Sequence, residues 1–174
     1  MNILITGSKG FIGTNVKLYL SSLNGINIFE YNRDIDRQLL EVLIKKSDII
    51  LHFAAVNRPK FKEEFYENNL KLTKEIIRFV KNSKNPLKLI FASSTQVYDK
   101  TEYGKIKLAE EKLILKINSK KNVTTKILRI PNVFGKWSKP NYNSVVATFC
   151  YNVARDIKIK ITDPEKNPNL IYID

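Results

Sequence analysis

The sequence predicts an α/β fold: a doubly wound parallel sheet with helices on both faces. Three observations predict it. Apolar runs at residues 2–6, 49–53 and 87–92 are continuous rather than alternating, as strands buried on both faces require. Helix-period segments separate them, and connections of that length must cross over between parallel strands. The first run leads straight into a glycine-spaced turn, Gly7-x-x-Gly10-x-x-Gly13, which opens a helix.

The elements follow in order. Residues 2–6 read as a buried strand, and the turn from Gly7 to Gly13 enters a helix that runs to about Leu23. Residues 26–31 read as a second strand, residues 39–44 as helix and residues 49–53 as a third strand. Residues 61–81 read as one long helix, with Ile76, Ile77 and Val80 at helical spacing. A fourth strand covers 87–92, a helix 103–117 and a fifth strand 124–130. Residues 144–154 read as helix, 157–161 as a short strand and 169–174 as part of another. There is no internal repeat and no low-complexity linker.

With 174 residues the natural count is one domain, 1–174, large enough for a stable core. No run of 18 apolar residues exists, so no membrane-spanning helix is expected. The N-terminus lacks the charged start and long apolar stretch of a signal peptide. The single cysteine, Cys150, excludes an internal disulfide and fits a reducing cytoplasm. The net charge of +13 raises a polyanionic partner. The lysines are nevertheless dispersed, with no zinc spacing, RNA-recognition aromatic motif or continuous basic helix. No nucleic-acid or membrane partner is expected.

A glycine turn at a strand–helix junction is a phosphate cradle. Gly7 permits the tight turn, Gly10 the close approach of phosphate and Gly13 close helix packing, giving a Rossmann-like NAD(P)-binding unit. The helix N-terminus offers free N–H groups and a favourable dipole to a pyrophosphate. Lys9, Phe11 and Ile12 complete the candidate cofactor loop. The second strand selects the nucleotide. An acid at its end favours NAD and a nearby arginine favours NADP. Glu30 and Arg33 offer both. Arg33 lies where the strand should release into the loop, which favours NADPH over the alternative NAD, with Lys9 placed to support the same phosphate.

Tyr103 and Lys107 lie four residues apart on one helix face. An ammonium beside a phenol favours the phenolate, which is expected to lower the Tyr103 pKa and make it a usable proton donor or acceptor. Ser94, at the end of the fourth strand, is placed to hydrogen-bond a substrate carbonyl, with Thr95 in reserve. Tyr98 is a rival phenol, but position 102 is Glu rather than Lys. The lone histidine, His52, does not make a zinc site, so no metal is assigned.

These residues carry a resemblance. The chain resembles the extended short-chain dehydrogenase/reductases of the nucleotide-sugar epimerase/dehydratase group. The matching pieces are Gly7-x-x-Gly10-x-x-Gly13, His52-Phe53-Ala54-Ala55, Asn69, Ser94, Tyr103-x-x-x-Lys107 and Leu128-Arg129-Ile130-Pro131-Asn132-Val133-Phe134-Gly135. Within that group it is similar to the CapF-type reductases of capsular polysaccharide synthesis. That similarity rests on Val56-Asn57-Arg58-Pro59, the stretch from Asn132 to Tyr151 and the short spacing from Ser94 to Tyr103.

The resemblance implies an NADPH-dependent reduction of the 4-keto group of a UDP-linked 2-acetamido-2,6-dideoxy-hexos-4-ulose. It implies Ser94, Tyr103 and Lys107 as catalytic residues, with Ala54, Ala55 and Asn69 added to the cofactor set. Asn132, Lys136, Trp137 and Tyr142 are candidates for sugar-nucleotide contact, the last three equally for packing of an irregular loop. It also implies a larger substrate lobe and a zinc-binding cupin domain. The chain therefore reads as a fragment, with the substrate lobe truncated near Asp174 and a homo-oligomer expected for the full-length protein. Such a fragment is expected to bind a dinucleotide with little or no turnover. Two rivals use the same residues: an NAD-retaining 4-epimerase and a non-catalytic dinucleotide-binding module. A dehydratase is disfavoured, because Thr95 and Gln96 stand where family dehydratases carry Asp-Glu.

Overall fold

The structure is a computed structural model that describes residues 1–118, 121–142, 144–161, 164–165 and 167–174. It divides into two compact units, Met1–Arg129 and Ile130–Asp174. The first holds strands β1 (Asn2–Thr6), β2 (Asn27–Tyr31), β3 (Ile49–His52) and β4 (Leu87–Ser94), with β5 (Val123–Ile130) reaching the boundary. The sheet order is β2-β1-β3-β4-β5, and β1 to β4 pair in parallel. The chain thus steps outward from β1 to β2, then returns past β1 to β3. Strand order reverses between β1 and β3, and ligands of such sheets bind beyond the carboxyl ends at that point.

Helices α1 (Phe11–Ser21), α2 (Arg37–Lys46), α4 (Lys71–Asn82) and α5 (Glu102–Leu115) make the crossovers. Leu4, Ile50, Leu89 and Phe91 share one buried cluster with Leu40 and Ile44 of α2, Ile76 and Val80 of α4, and Ile114 of α5. Side chains alternate along a strand, so Ile3 and Ile5 turn to the opposite face; α1 packs on β1 and β2. Asp36 caps α2 by accepting from the Gln38 N–H at 2.9 Å, and Thr101 caps α5 by accepting from the Gly104 N–H at 3.1 Å. β4 alternates buried and open positions, with Lys88 exposed, rather than being buried on both faces as expected.

The long helix expected at 61–81 is interrupted. A short α3 (Glu63–Phe65) passes into a π-turn (Tyr66–Leu70) before α4 begins. Asn69, whose side-chain bonds are described below, lies on that wider turn. After Ser94 a 3-10 turn, Thr95–Tyr98, leads towards α5.

In the second unit, β6 (Asn132–Phe134) pairs in parallel with β7 (Leu170–Tyr172), and α6 spans Val145–Val153. The strand expected at 157–161 does not form. Ile157, Ile159 and Ile161 are exposed, and no strand pairs with them among the described residues. Alternating isoleucines without a ladder to satisfy the backbone do not make a strand.

Candidate active site

The glycine turn is shaped by contacts that exclude a side chain. Gly7 has φ +72°, and a Cβ there would lie 2.7 Å from both Cα and N of Ala54, at the end of β3. A Cβ on Gly13 would lie 2.2 Å from the Gly7 carbonyl oxygen, so α1 packs directly on the turn. Gly10 is the N-cap of α1 and brings no capping side chain, which leaves the first-turn N–H groups of the helix for a ligand. Phe11 and Ile12 form that first turn, both half-buried.

A pocket of about 480 Å³ opens there, lined by Gly7, Lys9, Gly10, Arg33, Ala54 and Ala55 among others. Asp34 and Arg37 also line it; Lys9 pairs with Asp34 at 2.5 Å and Arg37 with Glu75 at 3.0 Å. Glu30 does not line the pocket. It accepts from the Ser8 hydroxyl at 2.5 Å and pairs with Lys17 at 3.2 Å, and the Ser8 bond holds its carboxyl below the usual range. The acid at the strand end is thus committed to the turn, while Arg33 faces the pocket. The Asn32 amide donates to Ser8 Oγ at 2.9 Å and accepts from the Lys9 N–H at 3.3 Å, tying the two loops together.

Asn69 acts differently from the expectation of direct cofactor contact. It is fully buried, donates to the Val56 carbonyl at 2.8 Å and accepts from the Val56 N–H at 2.7 Å. Both ends of its amide are used by that backbone, so it clamps the loop that carries Ala54 and Ala55.

Ser94 ends β4. Its Oγ accepts from the Gln96 N–H at 3.1 Å, which leaves its O–H as a donor. Gly104 lets α5 approach the following 3-10 turn: a Cβ there would lie 2.1 Å from the Gln96 carbonyl oxygen. This close approach brings the helix bearing Tyr103 onto the end of β4. The Tyr103 ring tilts against Phe65, with centroids 6.0 Å apart. Lys107 is only 1% exposed; its Nζ donates to the Ala92 carbonyl at 3.2 Å and lies 5.8 Å from the Tyr103 ring centre.

The expected lowering of the Tyr103 pKa is corrected. Burial, and then the charge of Glu110, push the phenol well above its ordinary value. Lys107 is drawn instead to Glu110, 3.2 Å away. Tyr98, the rival phenol, is 74% exposed and accepts from an Arg129 guanidinium N–H.

Two polar networks around these residues carry no local sequence motif. Glu111 accepts from Ser93 at 2.5 Å and from Arg129 Nη2 at 2.7 Å. Burial raises its pKa and these two bonds lower it, with a net fall. Beneath the crevice, Thr6 Oγ1 meets His52 Nδ1 at 2.7 Å and His52 Nε2 meets Thr73 Oγ1 at 2.9 Å. Thr73 donates to Glu110 at 2.6 Å. Strand register sets this up, since Thr6, His52 and Phe91 are neighbours across β1, β3 and β4.

Asn132, Lys136, Trp137 and Tyr142 belong to the second unit. Asn132 starts β6, Lys136 Nζ lies 4.5 Å from the Trp137 ring centre, and Trp137 adopts φ +68°. Among the described residues no cluster of three His, Cys, Asp or Glu side chains could hold a metal. No described helix is long and apolar enough to cross a membrane.

Comparison with known proteins gives the same picture. The NAD dependent epimerase/dehydratase family matches residues 3–172. The chain is 40% identical, over its whole length, to 47% of the UDP-2-acetamido-2,6-beta-L-arabino-hexul-4-ose reductase of Pseudomonas aeruginosa. Its fold matches the capsular polysaccharide assembling protein CapF of Staphylococcus aureus with a TM-score of 0.86, at 39% identity, over 99% of this chain and 47% of that one. The UDP-glucuronic acid 4-epimerase of Bacillus cereus, in complex with NAD, shares the fold with a TM-score of 0.86 at 22% identity, over 99% of this chain and 70% of that one. The chain spans about half the length of the first two relatives. A reversed strand order, a glycine cradle at the reversal and a match over nearly every residue lead to one conclusion: the chain belongs to the NAD dependent epimerase/dehydratase family.

Proposed function

We propose that this chain carries the dinucleotide-binding and proton-delivery part of an NADPH-dependent nucleotide-sugar reductase. The substrate class is a UDP-linked 2-acetamido-2,6-dideoxy-hexos-4-ulose, reduced at its 4-keto group for a surface polysaccharide precursor. The observation that supports the reading is α5, which carries Tyr103 and Lys107, packed on β4 and on the turn after Ser94, with Lys107 Nζ donating to the Ala92 carbonyl at 3.2 Å. The similarity to a protein named as a UDP-sugar reductase supports the substrate class. The chain spans about half the length of these relatives, and we assign the rest of the sugar site to the remainder of the full-length protein.

The crevice fits a dinucleotide, because its glycines leave room where any Cβ would meet backbone. A bound nicotinamide nucleotide supplies the hydride. The chain's own residues do the rest. The first turn of α1 receives the pyrophosphate, and Arg33 with Lys9 takes the 2′-phosphate that distinguishes NADPH. Ser94 donates to the ketone oxygen as charge develops, a contribution of about 3 kcal/mol for a well-placed donor. Tyr103, held protonated by its burial and by Glu110, gives its proton to the alkoxide. Lys107 orients the nicotinamide ribose beside Tyr103. Asn132, with Lys136, Trp137 and Tyr142, is assigned to the sugar nucleotide.

The test is NADPH oxidation by the full-length protein with the UDP-4-keto sugar. Tyr103→Phe should lower turnover by about 100-fold or more. Undiminished turnover in that variant, or product formed without release of oxidised cofactor, would sink the assignment.

A further inference from the structure

We propose that Glu110 is a positioning residue for Lys107, the buried anion on which a one-way chain of hydrogen bonds from the dinucleotide crevice ends. The proposal rests on the reading of Lys107 as the group that orients the nicotinamide ribose.

Lys107 and Glu110 stand one turn apart on α5 and are 1% and 0% exposed. An ammonium taken out of water to that depth needs an anion and hydrogen bonds. Lys107 has an ion pair with Glu110 Oε2 at 3.2 Å, which is not aligned as a hydrogen bond, and a hydrogen bond to the Ala92 carbonyl at 3.2 Å, with its Nζ 4.4 Å from the Phe91 ring centre. Three contacts from β4 and α5 thus fix the ammonium beside Tyr103. Glu111, the next residue, feels Lys107 but is occupied by Ser93 and Arg129. The other charged or titratable groups that face the pair are His52 from β3 and Tyr103 from α5.

The proton positions in the chain follow from chemistry. Burial and the nearby Lys107 charge lower the His52 pKa to about 3, so its ring is neutral and has one donor. The Glu110 carboxylate only accepts. Thr73 therefore donates to Glu110 Oε1, and so must accept from His52 Nε2–H. His52 Nδ1 is then the acceptor of the Thr6 hydroxyl, and Thr6 Oγ1 accepts from the Ala54 N–H at 3.3 Å. Every donor points the same way, and the bond dipoles add towards the Glu110 carboxylate. The first donor, Ala54, is the residue that Gly7 approaches at the mouth of the crevice. The chain joins the cofactor loop on β3 to the ion pair on α5 through α4.

The test reads NADPH dissociation constants by fluorescence, well below the melting temperature of each variant. Glu110→Gln should weaken NADPH by about five-fold or more, and Glu110→Asp, which keeps the charge, should recover most of that loss. In a Lys107→Met background Glu110→Gln should add nothing, because Glu110 acts through Lys107. A residue that only supports the fold would lower the melting temperature and leave these constants alone. An unchanged constant in Glu110→Gln, or an undiminished effect in Lys107→Met, would overturn the proposal.

Should Glu110→Gln fail to fold, Thr73→Val cuts the chain and keeps both charges. It should weaken NADPH by about two-fold or more in the parent and have no effect in Lys107→Met. If the parent binds neither NADPH nor NADH, the proposed function fails on its own account. Melting temperatures then decide the pairing: Lys107→Met/Glu110→Leu should melt above Glu110→Gln, and simple addition of the single losses would overturn it.

Discussion

His52 is the single histidine of the chain, and its burial sets a measurable pH dependence of stability. The native ring binds a proton only near pH 3, because desolvation and then the Lys107 charge oppose its cation. In the unfolded chain the ring returns to its ordinary pKa near 6.5. A group whose native pKa is depressed contributes its full stability above the unfolded value and loses it as the pH falls. Here the loss runs from about pH 6.5 down to the native value near 3, at a limiting slope of about 1.4 kcal/mol per pH unit. Integrated from pH 7 to pH 5, the loss is about 2 kcal/mol, or about 6 °C in melting temperature for a chain of this size. That interval lies above the ordinary carboxylate range, so the histidine dominates it. Urea melts of the parent and of His52→Gln at pH 7, 6 and 5 measure the slope, which the variant should lack. Proton NMR gives a direct check, since the one imidazole resonance should hold still down to pH 5. A resonance that titrates near 6.5, or a parent that loses less than about 0.5 kcal/mol over the interval, would refute the reasoning.

The glycines separate conformational strain from close approach. Gly25→Ala meets only the cost of φ +77°, about 1–2 kcal/mol, and should leave nucleotide affinity intact. Gly7→Ala adds an overlap with the Ala54 backbone, so its melting temperature should fall further and NADPH binding should be lost in calorimetry. Gly104→Ala reverses an ordinary trend. Alanine gains at most about 1 kcal/mol over glycine in a helix, less in the first turn where Gly104 sits, and the Gln96 carbonyl oxygen 2.1 Å from the new Cβ should turn that into a net loss of about 1–3 kcal/mol in urea melts. Arg33→Ser should weaken NADPH by about ten-fold or more while leaving NADH within about three-fold, as loss of one charged hydrogen bond predicts. Equal losses for both nucleotides would move the 2′-phosphate away from Arg33.

Whatever is local in the chemistry was legible in the sequence. The glycine turn, the apolar strands β1 and β3, and the four-residue step from Tyr103 to Lys107 follow from spacing alone. What was hidden depends on burial and on which side chains the fold brings into contact. Glu30 reads as a strand-end acid, and only the fold shows that Ser8 and Lys17 hold it. Lys107 reads as the partner of Tyr103, yet Glu110 and the Ala92 carbonyl hold its ammonium, and burial, then the Glu110 charge, shifts the phenol opposite to expectation. The helix period at 71–82 is clear, but the π-turn before it has no periodicity of its own. The alternating isoleucines of 157–161 carry a strand pattern without the strand partner that a pattern cannot guarantee.

That π-turn has a consequence for how the helix can change. Five residues, Tyr66–Leu70, occupy the wider turn, and α4 then buries Thr73, Ile76, Ile77 and Val80 in strict α-helical register. Removing one residue from it would restore a continuous α-helix and rotate everything upstream by about 100° relative to α4. The core face of α4 would be spared, while Phe65 would leave Tyr103 and the Asn69 clamp on Val56 would open. A single deletion there is thus a register switch: it leaves the hydrophobic core alone and misaligns the crevice and the proton donor together.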